Sequence, residues 1–203
     1  MIGIVDIGLC NLRSISKAIY SLGFDFELVS RPEALASASH CVLPGVGAFR
    51  TAMERLEATG MVEALRAFAR SSKPVLGICL GMQLLAARGE EGGESGGLSL
   101  VPGTVKRLGP HQRFRVPHVG WNTVKLTRPH ALFEGVKPQR DFYFVHSYHL
   151  HADEADSVLA ETSHGHTFVS AVARGNVVGV QFHPEKSQSN GLRLLENFCN
   201  WGA

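Results

Sequence analysis

The sequence predicts an α/β protein: a mostly parallel open sheet flanked by helices, with an added antiparallel portion. Two observations carry this. Strand-like and helix-like stretches alternate through the first half of the chain, and from Arg88 onward short strand-like runs follow one another with little helical patterning between them. Length is the third: 203 residues, against roughly 150 per domain, fit one sizeable domain with elaborations, so residues 1–203 are read as a single domain.

Met1 to Ile7 is an apolar, largely β-branched run and reads as the first strand. Leu12, Ile15, Ile19 and Leu22 then recur at the spacing of one helix face, and Asp25 to Val29 returns to strand character. Cys41-Val42-Leu43 is a short third strand cut off by Pro44-Gly45-Val46-Gly47. Met53 and Leu56, then Met61, Leu65 and Phe68, mark two helical pieces broken at Gly60. Pro74 to Ile78 is uniformly apolar, as expected of a strand buried on both faces, and a helix over Leu80 to Ala87 follows it without a linker.

A Gly and Glu loop over residues 89–94 opens the second half. Strand candidates follow at Thr104 to Leu108, Trp121 to Leu126, Phe142 to Val145, Thr167 to Ala173 and Val177 to Phe182, with antiparallel meanders as the expected wiring. A closing helix carries Leu192, Leu195 and Cys199, its start offered a cap by Ser187 or Ser189.

Composition excludes several classes. With 44% hydrophobic and 19% charged residues the chain is not disordered, and no apolar run approaches the ~20 residues of a membrane span. The first residues lack a basic segment, so no signal peptide is expected and the location is read as cytoplasmic. Twenty Lys and Arg against 18 Asp and Glu leave a net charge of +2, too small to mark a nucleic-acid or membrane surface. The four cysteines (Cys10, Cys41, Cys79, Cys199) form no C-x-x-C pair, so neither a disulfide framework nor a thiolate metal site is expected. Glycine, 22 of 203 or about 11% against a usual ~7%, points to many tight turns.

Gly77-Ile78-Cys79-Leu80-Gly81 has the form of a strand-to-helix elbow. Small residues on either side of Cys79 let the turn close and leave the side chain at the sheet's C-terminal edge. A helix N-terminus favours the thiolate, and the Leu80 amide is free to face an oxyanion. The pentapeptide alone fits a buried structural cysteine equally well. Gly179 to Ser187 ends a strand with His183-Pro184-Glu185, in which an extended backbone sends His183 and Glu185 to the same side. By itself that is more often a solvated turn. Taken with the elbow, the two stretches supply nucleophile, base and orienting carboxylate for amide hydrolysis through a thioester. Pro44 to Phe49 ends another strand; it is either an ordinary glycine turn or a loop whose Val46 amide joins that of Leu80 at the oxyanion.

These three stretches, in this order and spacing, resemble the class I (triad) glutamine amidotransferases. Pro117 to Asn122, Tyr143 to Tyr148 and the whole of Gly179 to Ser187 narrow the resemblance to glutaminase subunits serving imidazole glycerol phosphate synthase in histidine biosynthesis, over essentially the full chain. The resemblance implies the amidotransferase fold and a triad of Cys79, His183 and Glu185. It further implies an oxyanion loop with Val46, Gly47 and Leu80, and a glutamine pocket using Gly45, Gln83, Glu91, Ser147 and Tyr148. Ammonia would pass through a buried channel to a (β/α)8-barrel synthase subunit, met by stretches containing Asn11, Trp121, Asn122, Tyr143, His146 and Lys186. Activity would be low until the synthase binds its own ligand, with rearrangement of the loop around Val46 as the switch. No cofactor is implied. Many relatives carry Asp-Tyr-Gly-x-Gly-Asn near the N-terminus, where this chain reads Asp6-Ile7-Gly8-Leu9-Cys10-Asn11.

Three other readings stay open. The same glutaminase could serve an amidation step in surface-polysaccharide sugar synthesis. The chain could be a catalytically silent regulatory partner, against which the intact triad argues, or a freestanding thiol hydrolase of another substrate. His149-Leu150-His151 and His164-Gly165-His166 lack acidic or cysteine partners in a zinc-like pattern, so no metal site is expected. Lys106, Arg107, Arg113 and Arg115 make residues 104–118 a locally basic strand pair, read first as a solvated hairpin and second as a surface facing an acidic partner or a phosphate. Cys10, Cys41 and Cys199 are read as structural.

Overall fold

The computed structural model describes residues 1–8, 12–112, 114–137 and 140–202, with Arg140 described in its backbone only. Asn11, Cys10 and Arg113 therefore lie outside the described residues.

The first half runs β1 (Ile2–Val5), α1 (Leu12–Ser21), β2 (Phe26–Val29), α2 (Pro32–Ser37), β3 (His40–Gly45), α3 (Phe49–Ala58), α4 (Met61–Arg70), β4 (Val75–Cys79) and α5 (Leu80–Leu84). Gly60, at φ 71°, makes the break between α3 and α4 that the sequence places there. The second half contributes β5 (Arg88–Gly89), β6 (Ser95–Gly96), β7 (Gly103–Arg107), β8 (His118–Leu126), β9 (Arg140–His146), β10 (Tyr148–Ala152), β11 (Val158–His164), β12 (His166–Arg174), β13 (Val177–Val180) and α6 (Gln188–Cys199).

The main sheet has the order β2-β1-β3-β4-β13-β12-β11-β8-β9. Pairing is parallel from β2 to β13 and antiparallel from β13 to β9. Apolar side chains fill both faces. Ile15 and Ile19 of α1 and Leu194, Leu195 and Phe198 of α6 belong to one core. Leu35, Phe49, Leu56, Leu65 and Met82, from α2 to α5, belong to the other. A small second sheet, β10-β7-β5-β6, adds Val105 and Leu150 to this second core.

The wiring of β13 corrects the antiparallel meander expected for Val177 to Phe182. β13 lies parallel to β4, from Val177 opposite Val75 to Val180 opposite Ile78, and antiparallel to β12. Its four residues are all buried, as a strand covered on both faces requires. Phe182 and His183 lie beyond its end. The basic hairpin over 104–118 does not form: β7 pairs with β10 and β5 instead, with Lys106 and Arg107 exposed. The helix after Cys79 stops at Leu84, because the carbonyls of Leu84 and Leu85 accept the amides of Leu98, Leu100 and Val101 from the following loop. Ser187 precedes α6 but makes no side-chain cap to it. Cys41 and Cys199 are buried, and burial pushes both thiols up to about 12, which leaves them unreactive.

Candidate active site

Three adjacent parallel strands, β3, β4 and β13, deliver their C-terminal ends to one crevice, where ligands gather in open α/β sheets. Gly45 at the end of β3 pairs with Cys79 at the end of β4. β13, on the other side of β4, ends two residues short of Phe182.

Cys79 has φ 55° and ψ −111°, a conformation that non-glycine residues rarely hold. Its surroundings leave the backbone little choice. A Cβ on Gly77 would come within 2.7 Å of the Gly81 carbonyl and the Met82 nitrogen, and one on Gly81 would overlap the Leu43 carbonyl oxygen. Gly45 is similarly close, its would-be Cβ 3.1 Å from that of Leu80. Three glycines thus let β3, β4 and α5 meet backbone to backbone, and Cys79 takes the strained corner. Leu80 opens α5, so its amide is among those that the helix leaves without an internal acceptor.

His183 has φ −100° and ψ 95°, the extended conformation imposed on a residue before proline. Its amide donates to the Tyr143 carbonyl at 2.9 Å. The Ser187 hydroxyl donates to the His183 carbonyl at 2.6 Å and accepts from the Tyr143 amide at 3.0 Å. The residue expected to cap α6 instead fastens the histidine segment to β9. Glu185 lies in a short 3-10 turn and not on a strand, yet its Oε1 accepts from His183 Nδ1 at 2.9 Å. Both side chains are buried. With Nδ1 donating, Nε2 is the atom left to receive a proton, and it has no hydrogen-bond partner.

Burial acts to depress the His183 pKa, but interaction with Cys79 and with Glu185 outweighs it and raises the imidazole from 6.5 to about 10. Since Nε2 makes no formed hydrogen bond, the cysteine acts through proximity and the carboxylate through the 2.9 Å contact. A raised folded-state value means that folding retains a proton the unfolded chain loses. The resulting stabilisation is present in full below about 6.5 and disappears as pH rises through about 10. Glu185→Gln is therefore expected to flatten the fall in melting temperature between about pH 7 and pH 10. An identical fall in both proteins would show that Glu185 does not hold the proton on His183.

Cys79 opens into a cavity of about 400 Å³ lined by Val46, Gly47, Ala48, Leu80, Gln83, Glu91, Pro117, Val145, His146, Ser147 and Tyr148. It gathers most of the oxyanion and substrate residues named from the sequence. Gly45 lies behind it, in a small void with His183 and Glu185. Gly47 has φ 105°, so the loop after β3 turns at a residue that only glycine accommodates well. Glu91 Oε2 accepts the Phe49 amide at 3.1 Å, while burial raises its pKa against that bond. Ser147 is where the chain leaves β9 in the main sheet for β10 in the small one, which turns Ser147 and Tyr148 toward the cavity. A larger, more open groove of about 780 Å³ along residues 126–134 contains none of these residues.

His118 and His146 form a buried pair that sequence reasoning did not find. Tyr148 O can only accept, so His146 Nδ1 donates to it at 2.9 Å, leaving Nε2 to accept from His118 Nδ1 at 3.0 Å. His118 Nε2 in turn accepts from Asn122 Nδ2 at 3.2 Å. Both rings are neutral; burial chiefly lowers His118 to about 4 and His146 to about 3. His146, expected at a partner face, is thus 6% exposed and part of the pocket wall. The spacing of His118 and His146 in sequence carries no signal, because β8 and β9 alone bring them opposite each other.

The other residues named for a partner face stand nearer solvent. Trp121 is 49% exposed and packs edge-on to Tyr143, across whose ring Lys186 Nζ sits 5.8 Å from the centroid. Asn122 is half-buried by its bond to His118. Among the described residues, no group of three or more His, Cys, Asp or Glu side chains converges to hold a metal ion, and no helix is long and apolar enough to cross a membrane.

An elbow cysteine, a histidine oriented by a carboxylate and a small cavity with a few polar groups form an arrangement suited to thiol-dependent amide hydrolysis on an α/β sheet. Residues 3–201 match the family described as glutamine amidotransferase class-I, and the chain belongs to that family. It is 48% identical over 197 residues to the imidazole glycerol phosphate synthase subunit HisH of Moorella thermoacetica, covering 97% of this chain and 93% of that one. The subunit of the same name from Archaeoglobus fulgidus is 46% identical over 201 residues, covering 98% of each. Among solved structures, a glutamine amidotransferase aligns with TM-score 0.73 at 21% identity, covering 97% of this chain and 96% of that one. PurLQS from Thermotoga maritima aligns with TM-score 0.73 at 16% identity, covering 98% and 97%. At these identities the two structures show the shared fold alone.

Proposed function

We infer that this chain is the glutamine amidotransferase subunit of an imidazole glycerol phosphate synthase, hydrolysing glutamine and supplying the ammonia used in histidine biosynthesis. The observation that carries the chemistry is Cys79, held at a strained elbow in the wall of a cavity with the His183–Glu185 pair beside it. Full-length relatives named for that synthase weigh against a surface-polysaccharide client, and a complete triad weighs against a silent regulatory role.

In this reading glutamine enters the cavity with its α-ammonium toward Glu91 and Gln83 and its side-chain amide over Cys79. The cysteine proton rests on His183 Nε2, which its raised pKa lets the imidazole hold, and the thiolate attacks the amide carbon. The oxyanion that forms is met by the amides of Leu80 and the Val46-Gly47 loop. His183 returns its proton to the leaving nitrogen, the C–N bond breaks, and ammonia departs from a thioester. A water then gives a proton to His183 and attacks the same carbon, releasing glutamate and the thiol. Glu185 keeps the imidazole in the tautomer that this exchange needs.

Ammonia protonated in bulk water is no longer a nucleophile, so a closed route to a (β/α)8-barrel synthase subunit belongs to the same proposal. Exposed apolar residues support a partner at the cavity mouth: Val46 and Val145, 43% and 37% exposed, line it, and Val119, 56% exposed, pairs with Val145. Glutamate release, measured on the chain alone and with the synthase subunit and its nucleotide ligand, tests the proposal. It is expected to be slow alone and stimulated in the loaded complex. Equal rates would exclude a partner-driven switch, and no release in either would exclude the glutaminase.

A further inference from the structure

We propose that Gln181 is a further catalytic residue, an N–H donor to the Cys79 sulfur that stabilises it as a thiolate. This deepens the glutaminase reading and rests on it for its role in turnover. Gln181 is wholly buried between β13 and His183, and its backbone amide donates to the Ser170 carbonyl at 2.9 Å. Its Nε2 lies 3.8 Å from Cys79 Sγ, within reach of an N–H to sulfur bond.

Which end of the Gln181 amide faces the sulfur follows from its neighbours. Gln83 places one side-chain atom 2.8 Å from the Tyr148 carbonyl, which can only accept, so that atom is the Gln83 nitrogen. The same nitrogen lies 3.1 Å from Gln181, which must present its oxygen there. The remaining terminus, the one at Sγ, is the NH2. The Tyr148 carbonyl is itself fixed by His146 Nδ1 at 2.9 Å. The donor is therefore aimed by a buried network and needs no rearrangement when charge appears on sulfur.

The thiol and the thiolate use their surroundings differently. As a thiol, Cys79 can donate to the Val145 carbonyl, 3.8 Å away. Once its proton has gone to His183, that carbonyl offers nothing, and a hydrogen bond to the charged sulfur must come from a donor. Gln181 is the side-chain donor the structure provides. Of titratable groups, His183 is placed to take the cysteine proton with Glu185 behind it, and Glu91 and His146 line the same cavity.

The test compares wild type with Gln181→Met, close in volume and without a donor, and Gln181→Glu, in the full chain. Alkylation of Cys79 by iodoacetamide is followed by mass spectrometry of its peptide as a function of pH, alongside kcat and KM for glutamine in the loaded complex. Loss of one hydrogen bond to a charged group is expected to slow neutral-pH alkylation on the order of ten-fold in Q181M and further in Q181E. In Q181M kcat should fall by a similar factor while KM moves less than about two-fold. A merely structural role would shift melting temperature and leave the alkylation profile of folded protein as in wild type, which would overturn the proposal. If neither variant folds, Gln181→Asn, its amide drawn back by one methylene, carries the same expectation. Wild type that releases no glutamate, with Q181M still altering alkylation, would refute the glutaminase reading and leave the donor in place.

Discussion

Gly81→Ala is expected to cost more than about 4 kcal/mol and to leave little folded protein at ordinary temperature. A methyl group there would overlap the Leu43 carbonyl oxygen, a backbone atom of the sheet interior with no rotamer to yield. Leu43 is paired with Gly77, whose own would-be Cβ stands 2.7 Å from Gly81 and Met82 backbone atoms. To accept alanine, α5 must lift away from β3 and β4, uncovering Met82 and Leu84, which are fully buried. Gly96→Ala, at a position with no atom within 4 Å of the added carbon, is the control and should stay within about 0.5 kcal/mol. Chemical denaturation of the two variants checks both numbers. Near-wild-type stability of Gly81→Ala would mean that the elbow is not held by backbone contact.

Cys79→Ala is expected to lower glutamine hydrolysis by about 10⁴-fold or more while leaving the fold intact. The loss is large because the proposed thioester splits one difficult step into two, and neither His183 nor the amides of Leu80 and Val46 could replace the nucleophile. The fold should survive, with stability lowered at neutral pH only by the share of the His183 proton's stabilisation that Cys79 supplies. A folded variant with abolished turnover would separate Cys79 from Cys41 and Cys199, which are also buried but whose thiols burial pushes up to about 12.

What could be read from the sequence is what local rules govern. The apolar run of β4, the flanking glycines of Cys79 and the proline after His183 each specify their own conformation, so the elbow and the extended histidine were legible. The parallel pairing of β13 was not, because Val177 to Val180 is equally suited to either direction and its partner β4 lies about a hundred residues earlier. Short β5 and β6, and α2 with only Leu35 buried, carry too little periodicity to be found. In the candidate site, Cys79, His183 and Glu185 could be named only by taking the elbow and the His183-Pro184-Glu185 stretch together and by the family resemblance, since either stretch alone fits an ordinary structural role. Gln181 and the His118–His146 pair carry no such signal, since each meets its partners only through elements distant in sequence. Ser187 shows the same limit: a cap signal in sequence became a brace between β9 and His183.

The most direct measurement is product formation by the complex of Cys79→Ala with the synthase partner, assayed in parallel with glutamine and with ammonium salts as nitrogen source. Synthesis from glutamine should disappear while synthesis from ammonia continues at the wild-type rate. Equal loss with both nitrogen sources, or survival of the glutamine-dependent reaction, would contradict the assignment of Cys79 as the nucleophile that releases ammonia.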